Sequence, residues 1–174
     1  MRSDRAGRRR ARGRLDRGEP RRPLGTDARR FPGRRGVIGL DTNVLLRWLV
    51  DETVWPDDAP EQTALATEAL SRRDAQFFVN AVVLAETVWI LARPLRQKKA
   101  ALVSVIRRLL NASNVVVDHR EAAEAALSAW AGGKGDFADH LIGAINRSAG
   151  CLTTLTFDRK AEPADAFTRL RREP

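Results

Sequence analysis

Cysteine is all but missing from this chain of 174 residues: Cys151 is the single one. No intrachain disulfide framework can form, and no oxidising destination is implied. Histidine is almost as scarce, with only His119 and His140. Without a CxxC or a Cys/His cluster, the chain gives no sign of a structural zinc site. No apolar run reaches the roughly 18–20 residues that a membrane span needs. The N-terminus is charged but has no apolar stretch behind it, so it does not read as a secretory signal. There is no internal repeat. These absences leave a soluble protein, expected in the cytoplasm.

What the chain does have is basic charge: 31 Lys+Arg against 22 Asp+Glu, a net of +9. A basic balance suggests a nucleic-acid partner. The charge is uneven, however. Residues 1–36 hold 14 arginines and four acids, with six glycines and three prolines. Residues 37–174 hold 17 basic and 18 acidic residues. The first 36 residues have too few apolar side chains to offset their ordering entropy and are expected to be disordered. Three readings of that segment stand. It is a basic arm that attracts nucleic acid, a solvated tail, or the product of a mis-assigned start with translation beginning near Val37. The remaining 138 residues form one near-neutral domain, large enough to bury a core.

Within that domain, short apolar runs alternate with helical patterns. Val37-Ile38-Gly39-Leu40, Phe77-Phe78-Val79, Val115-Val116-Val117 and Leu152–Leu155 suit buried strands, and Phe167–Leu170 suits a weaker fifth. Helices are expected over 61–72 with Ala64, Leu65 and Leu70 inward, over 80–92 capped by Asn80, and over 97–110, 120–131 and 136–149. Pro56, Asp57, Asp58 and Pro60 mark a loop. The order predicts a parallel sheet covered on both faces, whose ligand site lies beyond the carboxyl ends of the strands.

Acidic residues fall in that region. Asp41 ends the first strand and Asp158 follows the fourth. Glu86 lies beside the apolar stripe of its helix and is expected to face inward. Asp136 and Asp139 share a face at a helix start. Each has an ordinary explanation: a helix cap for Asp41, cap and first-turn acid for Asp136 and Asp139, a turn for Asp158, and an arginine partner such as Arg47 or Arg93 for Glu86. Together they make an all-oxygen donor set without His or Cys, which suits Mg2+ or Mn2+. A cation would relieve the repulsion among clustered carboxylates, activate a water and stabilise an in-line phosphoryl displacement.

Other residues read more plainly. Gly132-Gly133-Lys134-Gly135 is no P-loop and reads as a flexible connection, although its place beside Asp136 allows a substrate-facing role. His119 reads as a loop residue and His140 as a surface one. Trp48, Trp55, Trp89 and Trp130 read as core or interface, and Cys151 as a small buried filler.

Four stretches, in order, resemble a PIN-domain ribonuclease, in particular a VapC-type toxin of a toxin–antitoxin system. They are Ile38-Gly39-Leu40-Asp41-Thr42-Asn43-Val44-Leu45-Leu46-Arg47, Asn80-Ala81-Val82-Val83-Leu84-Ala85-Glu86, Asp136-Phe137-Ala138-Asp139-His140-Leu141-Ile142 and Thr154-Leu155-Thr156-Phe157-Asp158-Arg159-Lys160. The resemblance implies an α/β class and a three-layer α/β/α fold with a short parallel sheet of four to five strands. It implies an endoribonuclease using Mg2+ or Mn2+, with Asp41, Glu86, Asp139 and Asp158 as the acidic quartet and Asp136 sharing the third position. It further implies Asn43 as an orienting residue, a homodimer, and a cognate antitoxin that covers the site. Thr156 is taken with Asn43 as a supporting residue, and Arg47, Arg159 and Lys160 as RNA contacts. Asn80 stands where the family more often has Ser or Thr.

Two rival readings remain. A haloacid-dehalogenase-like phosphatase also begins with an aspartate after its first strand, but wants an acid two residues later, where Asn43 stands. A non-catalytic nucleic-acid-binding protein would act through the arginine-rich arm alone.

Overall fold

Apolar runs too short to span a helix, set between amphipathic stretches, should build a parallel sheet with helices laid against it. The computed structural model has that order. It describes residues 36–50, 59–72, 74–159 and 165–172. The arginine-rich segment up to residue 35, Trp55, the loop residues Pro56, Asp57 and Asp58, and Lys160 lie outside the described residues. Everything described belongs to one compact unit, Arg34–Pro174.

The elements run β1 (Val37–Gly39), α1 (Thr42–Leu49), α2 (Pro60–Leu70), β2 (Gln76–Val79), α3 (Ala81–Ala92), α4 (Lys99–Leu110), β3 (Val115–Val117), α5 (Arg120–Gly132), α6 (Phe137–Ser148), β4 (Thr154–Thr156) and β5 (Phe167–Arg169). The architecture is a three-layer α/β/α arrangement, with six helices and parallel strands among the described residues. Sheet order is β1-β2-β3, with Ile38 opposite Phe77 and Phe77 opposite Val115. Among the described residues no helix is long and apolar enough to cross a membrane.

Each central strand buries alternate residues: Phe77 and Val79 on β2, Val115 and Val117 on β3. Helix stripes close over them. On α1 the buried positions Thr42, Leu45, Leu46 and Leu49 recur at helical spacing. On α3 they are Val83, Leu84, Thr87, Val88 and Leu91. Leu45, Leu84, Ile106 and Leu109 have no exposed surface, and each is worth about 1.5–3 kcal/mol of transfer free energy.

The structure corrects four expectations. First, the five strands among the described residues all pair in parallel but form two ladders, β1-β2-β3 and β4-β5. The second ladder is anchored elsewhere. A Cβ added at Gly143 of α6 would lie 2.7 Å from the Ala166 Cβ and 3.0 Å from the Phe167 ring, so the start of β5 rests directly on that helix. Second, β1 is exposed rather than buried, because β2 is its one ladder partner among the described residues. Val116, on the face of β3 opposite Val115 and Val117, also stays 41% exposed. Third, α2 turns Ala66 and Leu70 inward, one helical turn apart, and leaves Ala64 and Leu65 outside. Fourth, Cys151 is exposed. It belongs to the turn that ends α6, its N–H donating to the Asn146 carbonyl at 3.0 Å, and β4 begins three residues later.

Candidate acidic site

The carboxyl end of β1 turns directly into α1. Leu40 N–H donates to the Phe78 carbonyl at 2.9 Å, and Leu45 N–H to the Asp41 carbonyl at 3.0 Å. Asp41 therefore stands in the capping position, with extended backbone and an exposed side chain. Its carboxylate makes no capping bond. The ordinary explanation for this aspartate, a helix cap, is not the one the side chain adopts.

The next residue ties two motifs together. Thr42 is 5% exposed, and its Oγ1 donates to Glu86 Oε2 at 2.5 Å across 44 residues of chain. That is the length of a short hydroxyl-to-carboxylate bond. Sequence reasoning missed Thr42 as a site residue. The signal was present: it is the one polar residue on the buried stripe of α1, and a buried hydroxyl needs a partner. Glu86 itself does not face inward. It lies on the exposed side of α3 with Val82 (74% exposed) and Trp89 (59% exposed). The start of α3 is set by Asn80, whose Oδ1 accepts the Val83 N–H at 2.9 Å. An amide oxygen here does the capping work of a hydroxyl.

Helix α6 packs on α3. The groove between them is lined by Ala81, Val82, Glu86 and Trp89 from one side and by Ala138 and Ile142 from the other. Glu86 thus shares a groove with the residue before Asp139. Asp139 Oδ2 accepts the Asp136 N–H at 3.3 Å, the reach-back half of a capping box. Asp136 is engaged by Arg93, whose Nη2 lies 3.2 Å from Oδ2. Both partners are more than half exposed, so that pair contributes about 0–1 kcal/mol. Arg93, expected as one of two partners for Glu86, serves Asp136 instead. Asp158 is exposed beyond β4, where its N–H donates to Thr156 Oγ1 at 3.0 Å. Thr156 accordingly shapes the turn that carries the acid.

The remaining expected residues lie as follows. Asn43 is exposed, and its carbonyl accepts from Arg47 Nη1 at 3.3 Å. Arg47 is folded back along its own helix, with Nε buried and unpartnered. Arg159 is exposed. Trp130 is buried, Trp48 half-buried and Trp89 exposed.

In kind, the acids fit a hard cation: all oxygen donors, no thiolate or imidazole among them. In placement, they stand apart. Among the described residues no three of His, Cys, Asp and Glu form a group able to hold a metal ion. Glu86 is held by Thr42, Asp139 by its own helix start, and Asp136 by Arg93. Asp158 rides on the ladder that packs against α6.

A model of the PIN-domain family matches residues 38–166. No curated protein matches the chain.

Proposed function

The chain belongs to the PIN-domain family, a family of metal-dependent nucleases, and from that premise we propose that it is an endoribonuclease toxin of the VapC type. The observation that carries the reading is the Thr42–Glu86 hydrogen bond. It joins the first acidic motif to the second at the carboxyl edge of the sheet, where a parallel α/β protein builds its site. The α3–α6 packing brings the third motif to the same side of α3 as Glu86.

In this proposal Asp41, Glu86, Asp139 and Asp158 are the catalytic acids, with Asp136 as a further metal-facing carboxylate. Mg2+ or Mn2+ is the required ion, and the reaction is hydrolysis of RNA phosphodiester bonds. Arg159, exposed beside Asp158, is a contact for the RNA backbone. A homodimer and a cognate antitoxin belong to the same proposal. Val82, Trp89 and Ile142 form exposed apolar surface of the kind that protein partners cover.

The test is cleavage of total RNA by the full chain with Mg2+ or Mn2+, with EDTA, and with Asp41→Asn. Cleavage is expected with metal only, and Asp41→Asn should abolish it. Cleavage that survives the chelator or the substitution overturns the proposal. Induced expression should arrest growth of a host cell, and the same substitution should relieve the arrest.

A further inference from the structure

The glycine-rich segment 132–135 has the composition of a flexible connection. In the structure it is pinned at several points. Gly133 N–H donates to the Trp130 carbonyl at 3.2 Å. Lys99 Nζ donates to the Gly133 carbonyl at 2.9 Å while standing 5.1 Å over the Trp130 ring. His140 Nε2 lies 2.8 Å from the Lys134 carbonyl. Trp130 and Phe137, on either side of the loop, meet edge to face at 5.5 Å.

The glycines have steric reasons. A Cβ on Gly133 would sit 2.7 Å from the Ala129 carbonyl and 3.4 Å from the His140 ring. Gly135 has φ +82, in the left-handed region that side chains disfavour. Lys134 is the one residue of the loop with a side chain, and its neighbours are held by these contacts. Turn chemistry accounts for the glycines but not for a braced lysine.

Lys134 opens onto a cavity of about 280 Å³. His140 and Arg147 of α6 line it, together with Ala144, and Asp165 is the acid on its wall. Among the described residues no ion pair engages Lys134, Arg147 or Asp165. The volume is small for a whole drug-sized ligand, but suits a phosphate with part of its sugar. His140 and Arg147 are two turns apart, about 10 Å along the helix at 1.5 Å per residue. The helix that carries them begins at Asp136 and Asp139.

We propose that this cleft is a subsite for the RNA backbone, in which Lys134 and Arg147 bind phosphates of the strand that lies across the acidic edge. It rests on the reading of RNA as substrate. It places two cations in one cleft of a domain whose net charge is close to zero. Neither residue touches the acids, so both are binding residues.

The experiment uses the full chain carrying Asp41→Asn, in EDTA, with a fluorescent single-stranded RNA titrated over a range of salt. The pair Lys134→Ala/Arg147→Ala is compared with Lys98→Ala/Arg107→Ala, which removes the same charge from exposed positions at α4. The arginine-rich segment is common to both. The cleft pair is expected to weaken binding by about tenfold. It should also reduce the slope of log K on log salt by about 1.4, the counterion release of two phosphates on a single strand. The α4 pair is expected to do neither. Equal losses from the two pairs overturn the proposal, as does an RNA that fails to bind the Asp41→Asn chain. Lys134→Gln alone should weaken binding about threefold with an unchanged melting temperature, and it replaces the double variant if that does not fold. Cleavage by the wild-type chain separates the two readings. If the wild type cuts RNA and the cleft pair binds normally, only the subsite falls. If binding depends on the cleft and nothing is cut, only the nuclease falls.

Discussion

Replacing Thr42 by valine removes one hydroxyl and little else. The side chain is 5% exposed and packs on the α1 stripe, so a similar shape keeps the apolar contacts. What is lost is the bond to Glu86 Oε2. A hydrogen bond to a charged acceptor contributes about 1.5–3 kcal/mol. Here the carboxylate is on the exposed side of α3 and regains water when the hydroxyl goes, which lowers the net cost to about 1 kcal/mol. For a chain of this size that is roughly a 2–4 °C fall in melting temperature. The assay is a double-mutant cycle of Thr42→Val and Glu86→Ala in urea unfolding, with a coupling of about 1 kcal/mol expected. Thr42→Ser, which keeps the hydroxyl, should retain most of the coupling. In the nuclease reading Thr42 positions Glu86, so Thr42→Val should also lower kcat about 10–100-fold, as loss of a supporting bond to a metal-facing carboxylate does, and serine should restore it. Additivity within about 0.3 kcal/mol would refute the argument that the two residues act as a pair.

Other consequences follow from single contacts. Asn80→Ala removes the cap on the Val83 N–H and should cost about 1 kcal/mol in urea unfolding, with Asn80→Asp close to wild type. Ile106→Ala empties a site with no exposed surface and should cost about 2–5 kcal/mol by the same measure. Gly143→Ala forces a methyl against Ala166 and Phe167 and should cost about 1–3 kcal/mol, with proton-exchange protection falling first in β4 and β5. The Arg72 guanidinium, bonded to Asp74 at 2.9 Å, holds that carboxyl below its ordinary value, chiefly through the side-chain hydrogen bond and with a smaller contribution from its charge. A lowered folded-state value contributes stability above the ordinary carboxylate range, and that contribution is lost as pH falls through the folded value. NMR titration should find Asp74 shifted down in the native chain and moved back toward the ordinary range in Arg72→Leu, since the backbone hydrogen bond that also lowers it remains.

Local patterns carry much of the fold. The alternation of three-residue apolar runs with amphipathic segments predicts parallel strands and their helices, and Asn80 before Val83 marks the start of α3 to the residue. The acids' chain positions are legible too, since Asp41 and Asp158 each follow a strand at its carboxyl end. At Glu86 local reasoning fails because the deciding contact comes from far along the chain. Nothing near Glu86 announces that Thr42 takes its carboxylate, and with Val82 and Trp89 beside it the residue looks buried when it is not. Cys151 reads as a buried filler ahead of a strand, but the turn after α6 extends through it and leaves it exposed, a local outcome decided five residues back at Asn146.

Sequence by itself determined the partition of charge, the kind of donors and the class of fold. These depend on composition, on periods of two and 3.6, and on residues one or two places apart. Tertiary structure alone decided which side of α3 is covered, that β4 and β5 form their own ladder against α6, and which partner each acid takes. It also turned the glycine loop from a flexible joint into a braced mount for one lysine. Those outcomes rest on contacts such as Thr42 with Glu86, Arg93 with Asp136 and Gly143 with Phe167. Such contacts join residues 24 to 44 places apart, a separation that no local spacing rule encodes.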